Sequence, residues 1–263
     1  GWLAGSTIAS LIAGIDHSKL TNTGNIDSEY LKLTVDPEMK YSIPYMVSYS
    51  GIAYDKTKVS DFKPTWAMFD RSDLAGRITL FNDMREVIGA ALKYHGYSYN
   101  TTNEAELAQA QETVIRWKRN IAKFDVDEAK RGLSSGEFVM IQAYSGDALQ
   151  LMEENENLAF SIPVEGTSIA QDDFVIPKDA QHVDLAYKFI DFMLEAENSK
   201  DNMEFVYYWS PNTAALKMMD TEFLENEAVT PSKEIQSKSN FLLDLGSKNE
   251  LYTKTWDVIK SSN

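Results

Sequence analysis

The sequence predicts an α/β protein, and three observations carry that expectation. Short runs of β-branched and aromatic residues alternate along the chain with longer segments of helical period. Several of these runs lead through a polar joint straight into a helix start. With 263 residues, 43% of them hydrophobic and 11% aromatic, the chain can bury a large core. Alternation of this kind favours a mostly parallel sheet covered on both faces, built either as one sheet or as two lobes with crossing connections.

The elements follow in chain order. Residues 1–14, "GWLAGSTIASLIAG", are apolar but too short and too rich in Gly, Ser and Thr to span a bilayer, and they lack the basic start of a signal peptide. They are expected to form a helix or an appended lead-in. Residues 41–55, "YSIPYMVSYSGIAYD", read as two short strands or one strand with a bend, because Pro44 and Gly51 interrupt the run. "GRITLF", 76–81, reads as a strand followed by a helix with Val87, Ile88, Ala91 and Leu92 on its inner side.

Asp83 and Glu86 sit at that joint. Asp followed three residues later by Glu is a capping box, in which Asp83 accepts from a free helix amide and Glu86 reaches back to the Asp83 N–H. The same joint lies beyond the C-terminal end of a strand, where α/β proteins bind ligands. The two readings are compatible.

Asn103 to Ile121 predicts a helix capped by Asn103, with Leu107, Ala110, Val114, Trp117 and Ile121 on one side. "EFVMIQAYSGDALQLM" predicts a strand ending near Ala143 and a helix with Asp147 at its start. "LAFSIP" and "DDFVIP" read as short strands. "VDLAYKFIDFMLE" reads as a helix capped by Asp184 with Leu185, Phe189, Ile190 and Met193 inside, and 198–263 as helical pieces joined by polar turns.

Charge and composition narrow the function. Lys plus Arg number 25 against 40 Asp plus Glu, a net charge of −15, which disfavours nucleic acid and anionic membranes and favours cationic partners. The absence of cysteine excludes thiol nucleophiles, disulfides and thiolate metal sites. His17, His95 and His182 show no metal-ligand spacing and read as surface or helix-end residues. "YSGD" lacks the leading glycine of a nucleophile elbow, and neither G-x-G-x-x-G nor a P-loop is present, so no cofactor is expected.

What remains is a set of carboxylates beside strands: Asp83, Glu86, Asp147, Asp172 and Asp173. Such acids suit a cation, a metal ion or paired acid–base chemistry. Tyr144 precedes Asp147 by three residues, and Tyr207, Tyr208 and Trp209 precede "SPN". Aromatic faces near carboxylates favour an organic ammonium through cation–π attraction, with core packing as the competing reading for each ring.

The blocks "IDHSKLTNTGNID", "YSIPYMVSYSGIAYDKTKV", "NDMREVIGAALKYHGYSYNTT", "DDFVIPKDAQHVDLAYKFIDFMLE" and "SPNTAA" occur in one order from about Ile15 to the C-terminus. Together they resemble the periplasmic spermidine/putrescine-binding proteins of bacterial ABC importers. The resemblance implies a type II periplasmic binding protein fold, two α/β lobes joined by crossover strands and closing over a ligand, with no catalytic activity. Lobe 1 would hold 1–60 with 171–215, and lobe 2 would hold 61–170 with 216–263. By the same resemblance Asp83 or Glu86 contacts ligand ammonium groups, Tyr144 forms an aromatic wall, and Asp147 serves an amine. Asp172 holds a terminal amine, with Tyr208 as the aromatic after it.

The implied partners are a small cationic amine and the permease subunits of an importer, and the implied location is periplasmic or cell-surface. Ala170, Val47 and Leu242 stand where relatives carry aromatic or polar ligand groups. Nothing before Ile15 resembles the family's opening strand–helix–strand portion. The first lobe is therefore expected to be incomplete, with exposed edges and apolar patches that favour a dimer or a complementing N-terminal fragment. Two rival readings stand beside this one: a truncated or engineered scaffold that has lost or changed its ligand, and a carboxylate-based hydrolase.

Overall fold

The computed structural model describes residues 10–262. Its strands are β1 (Ile43–Asp55), β2 (Ile78–Leu80), β3 (Ile121–Phe124), β4 (Met140–Tyr144), β5 (Leu158–Ser161), β6 (Ser168–Phe174) and β7 (Asn240–Phe241). The longer helices are α1 (Met84–Tyr94), α2 (Glu104–Lys118), α3 (Asp127–Ser135), α4 (Ser145–Glu154), α5 (Val183–Leu194), α6 (Ala196–Val206) and α7 (Asn249–Ser261). The expected lead-in lies outside the described residues for 1–9. After it the chain is extended, with Ile12 bridging Pro177 and Ala13 N donating to the Ile176 carbonyl at 2.7 Å.

The chain forms two compact units. Unit 1 takes the residues up to Ser48 with Gln171–Asn226, and unit 2 takes Tyr49–Ala170 with Glu227–Asn263. The chain passes from one to the other within β1 and within β6.

In unit 2, β2 pairs parallel with β3 and with β4, while β4 pairs antiparallel with β1, which also carries β5 antiparallel. The sheet is therefore mixed, not mostly parallel. β2, β3 and β4 are linked by the helical crossovers that parallel pairing needs, through α1 and α2 and then α3, and β6 and β7 form a further parallel pair across a longer helical connection. Alternate strand residues enter two cores, as a sheet covered on both faces requires. Ile52, Ile78, Leu80 and Met140 pack with Trp66, Trp117, Ile88 and Tyr252 on one face, and Ala53, Ile141 and Ala143 pack with Leu133, Phe138 and Leu158 on the other.

Within the run 41–55, Ile43–Asp55 is one continuous strand. Pro44 falls near its start, where a missing ladder donor is tolerated. Gly51 does not break the strand but lets β5 approach: a Cβ there would lie 2.5 Å from the Phe160 ring and 2.6 Å from the Ser161 carbonyl oxygen.

Unit 1 is held by Leu20, Ile26, Ile43, Ile176, Tyr187, Ile190 and Leu194, with a second cluster of Met46, Met203, Ala215 and Met219. The inner face of α5 differs from the expected one. Position 182 is the cap, so residues 187, 190 and 194 point inward while Leu185 and Phe189 remain 65% and 53% exposed. Asp184 lies in the first turn and pairs with Lys19 at 2.7 Å instead of capping.

Candidate functional site

Adjacent parallel strands end on the same edge of a sheet, so β2 and β4 bring the starts of α1 and α4 together in unit 2. Gln142 fastens the two, accepting from Phe81 N at 3.2 Å and donating to the Glu86 carbonyl at 3.5 Å. Asp83 is the exposed N-cap of α1, and its carboxylate accepts from Arg85 N at 2.8 Å and Glu86 N at 3.0 Å.

The reciprocal half of the capping box is not made. Glu86 is 1% exposed and turns inward, with Ser168 Oγ at 2.9 and 2.8 Å from its two carboxyl oxygens. Ser168 Oγ is 2.9 Å from Ser50 Oγ, which is 2.8 Å from Thr167 Oγ1. Tyr99 is fully buried nearby, and its hydroxyl faces those of Thr167, Ser50 and Ser168. Burial pushes the Glu86 carboxyl up to about 7, and the charge of Asp83 adds in the same direction. Burial likewise pushes the Tyr99 hydroxyl up.

Arg85 holds the first turn of α1 in place. One end of its guanidinium donates to the Leu243 carbonyl at 3.0 Å, and the other donates to the Tyr99 carbonyl at 3.2 Å and Asn100 Oδ1 at 2.8 Å. The group also lies 4.5 Å from the centre of the Tyr252 ring.

At the second joint, the half-buried Tyr144 ring sits 4.7 Å from the ring of Phe81. Asp147 occupies the first turn of α4 but pairs with Lys130 at 3.2 Å, in a surface cavity of about 580 Å³ that Arg131, Gln150 and Glu154 also line. The structure thus gathers Asp83, Glu86 and Tyr144 around the end of β2, and turns the Asp147 carboxylate towards α3.

Unit 1 carries the other two residues expected at the site. Asp172 is exposed, although the surrounding mass of protein shifts its carboxyl upward. Asp173 is half-buried, accepts from Gln171 Nε2 at 2.7 Å, and is pushed up to about 6 by burial. Gln171 in turn accepts from the Tyr30 hydroxyl at 2.6 Å, and the Tyr30 ring lies 5.3 Å from Trp209. Tyr207 ends α6 with φ of 58°, a left-handed conformation uncommon outside glycine. After that turn Trp209 bridges Val47, and Tyr208 packs against Met46, Met203 and Met219.

Sequence reasoning missed Ser50, Thr167, Ser168, Tyr99 and Arg85 in unit 2, and Tyr30 and Gln171 in unit 1. The available signal was the run of serines within the apolar β1 stretch, since a hydroxyl in a buried strand needs a partner. Among the described residues no group of three or more His, Cys, Asp or Glu could hold a metal ion. The ring of His95 is engaged with Thr113 Oγ1 at 2.8 Å.

Comparison with known proteins agrees with this architecture. The chain is 32% identical over 260 residues to the putrescine/cadaverine-binding protein of Pseudomonas aeruginosa, covering 94% of this chain and 73% of that one. It is 30% identical over 252 residues to the spermidine/putrescine-binding periplasmic protein of Salmonella typhimurium, covering 95% and 72%. Among solved structures, the spermidine/putrescine ABC transporter substrate-binding protein PotD of Streptococcus pneumoniae superposes with a TM-score of 0.86 at 31% identity, over 97% of this chain and 79% of that one. The PotD lipoprotein of Treponema pallidum superposes with a TM-score of 0.83 at 32% identity, over 96% and 79%. The chain thus spans about three quarters of the length of these relatives and has their type II periplasmic binding protein architecture. With residues 2–231 matching the family as well, the chain belongs to the bacterial extracellular solute-binding proteins.

Proposed function

We propose that the protein is the solute-binding receptor of an ABC-type importer, and that its solute is a polyamine such as putrescine or spermidine. The observation that carries this reading is its similarity to polyamine-binding proteins over nearly its whole length. The chemistry of each unit supports it. Unit 2 offers Asp83, Glu86 and Asp147 with the ring of Tyr144, and unit 1 offers Asp172 with Tyr208. Ammonium–carboxylate hydrogen bonds and stacking on aromatic faces are the interactions that hold an aliphatic diamine. The receptor would work outside the cytoplasm and present its ligand to permease subunits.

A second reading has an observation of its own. Glu86 is already engaged with Ser168 and Asp147 with Lys130, so the fold satisfies two of the expected acids without an amine. A scaffold that has changed or lost its ligand would look like this. Titration calorimetry with putrescine and with spermidine, at low and at moderate salt, separates the two. Binding that Asp172→Ala weakens at least tenfold supports the receptor, and the absence of heat with either amine in a folded sample overturns it.

A further inference from the structure

A second cavity of unit 2 lies at the far end of α1 from Asp83 and Glu86, about 16 Å away along a helix that runs Met84–Tyr94. Residues from the last turn of α1 and the loop after it, from the loop before β6 and from the segment leading to β7 line a surface cavity of about 770 Å³. Its walls are fixed. Gly166 follows the lining residue Glu165 with φ of 89°, and a Cβ there would lie 2.6 Å from the Lys238 carbonyl oxygen, so the two segments meet backbone to backbone. Trp66 Nε1 donates to the Gly166 carbonyl at 3.0 Å and holds the loop in place.

Lys93 lines this cavity and is only 6% exposed. Its ammonium donates to the Lys238 carbonyl, and among the described residues it pairs with no carboxylate and has no second acceptor. The last carbonyls of α1, those of Ala91, Leu92 and Lys93, are already taken by the N–H groups of His95, Gly96 and Tyr97. An ammonium carries three hydrogens, so two are left over where burial makes a charge costly. Burial accordingly holds the Lys93 ammonium below the ordinary lysine range. Asn240 adds a donor: its Oδ1 accepts from Tyr99 N at 3.2 Å, which leaves its NH2 without an acceptor among the described residues. Glu165 has the opposite need. Its Oε1 accepts from the Thr65 hydroxyl, while its Oε2 is buried and unpartnered. Lys238, the other lysine of the lining, is already engaged by Glu234 at 2.7 Å and the Val164 carbonyl at 3.0 Å.

We propose that this cavity is a further ligand site of unit 2, and that it takes a small amino acid in its zwitterionic form. The ligand carboxylate accepts from Lys93 and Asn240, and its ammonium group donates to Glu165. Each of the three groups then gains the partner it lacks, and no net charge enters the cavity. A simple carboxylate leaves Glu165 Oε2 unmatched and sets a second anion against it. A diamine leaves Lys93 unmatched and adds positive charge beside it. The site therefore rejects the amines proposed for the acids at the start of α1, and it stands or falls independently of that reading.

The test titrates the whole chain with glycine, acetate and methylamine at neutral pH, while the backbone amide NMR signals of Gly96, Tyr97 and Val164 are followed. Glycine should shift these signals to saturation, acetate should bind about tenfold more weakly, and methylamine should leave them in place. Glu165→Gln keeps the oxygen that accepts from Thr65 and turns the unpartnered oxygen into a donor, so it should erase the preference for glycine over acetate. Asn240→Asp keeps the acceptor for Tyr99 N and replaces the free amide with an acidic oxygen, so it should weaken glycine binding by about tenfold. Lys93→Met should abolish binding. The Gln and Asp variants retain the hydrogen bonds that the fold uses, so they read the site even where Lys93→Met fails to fold.

Putrescine in excess should leave the glycine-induced shifts unchanged. Displacement of glycine by putrescine would reveal a shared site and overturn the assignment. Equal affinity for acetate and glycine in the wild-type protein, or a preference for glycine that survives Glu165→Gln, overturns the zwitterion. Absence of saturable shifts with glycine in the folded wild-type protein overturns the site itself and leaves Lys93 as a tie between α1 and the Lys238 carbonyl, with water on its other hydrogens.

Discussion

Glu86→Gln gives the sharpest test of how the buried acid affects stability. The amide matches the carboxyl in size, keeps an oxygen that can accept from the Ser168 hydroxyl and cannot ionise, so the variant copies the uncharged form. In the unfolded chain the carboxyl loses its proton near its ordinary value of 4.5, whereas the folded protein keeps it up to about 7. The folded pKa is raised, so this acid's contribution to stability is fully present below about pH 4.5. It is lost as pH rises to about 7 and is constant above that. The gap of about 2.5 units corresponds to about 3 kcal/mol.

The Gln variant escapes that loss. Relative to wild type it should gain about 3 kcal/mol between pH 4.5 and pH 7, or roughly 6–12 °C in Tm for a chain of this size. Other titrating groups, Asp173 among them, cancel in the difference between the two proteins. Thermal melts and urea unfolding of both proteins, in half-unit steps of pH, measure it. A difference that does not change with pH, or that runs in the opposite sense, would refute the reasoning.

Three further outcomes are expected. Asp83→Asn should keep the cap of α1 and change unfolding free energy little, while Asp83→Ala loses the cap and about 1 kcal/mol in urea unfolding. Both should weaken amine binding if the Asp83 charge meets the ligand. Gly51→Ala should destabilise by about 1–3 kcal/mol, because the Phe160 ring and the Ser161 carbonyl must move to admit the methyl group. Arg85→Lys should cost about 2 kcal/mol, since a single ammonium cannot reach the Leu243, Tyr99 and Asn100 acceptors at once. Unfolding by denaturant reads both of these changes, and a wild-type midpoint in either variant would count against the contact described.

What could be read from the sequence was local. Asp83 was recognisable as a cap because its partners lie two and three residues away. The Asn103 helix was recognisable because Leu107, Ala110, Val114 and Trp117 mark a single stripe. The fate of Glu86 was not, because Ser168 is 82 residues distant and nothing in "NDMREV" reports it. Gly51 read as an interruption because the strand that needs its bare backbone comes about a hundred residues later. In α5 the pattern misled for another reason. Leu185, Phe189 and Phe192 make its outer side as apolar as its inner one, so periodicity alone could not choose the buried face.

The Arg85 contacts also constrain the order of folding. The side chain that steadies the first turn of α1 is held by acceptors at Tyr99 and Asn100, by the Leu243 carbonyl 158 residues after Arg85, and by the Tyr252 ring beyond it. Tyr252 and Ile259 of α7 belong to the same core as Trp66 and Trp117. During synthesis, unit 2 therefore cannot close its core, and α1 cannot be locked, until α7 has left the ribosome. Until then unit 2 lacks the helix that supplies Tyr252 and Ile259 to its core, and the Arg85 guanidinium lacks the ring it lies against.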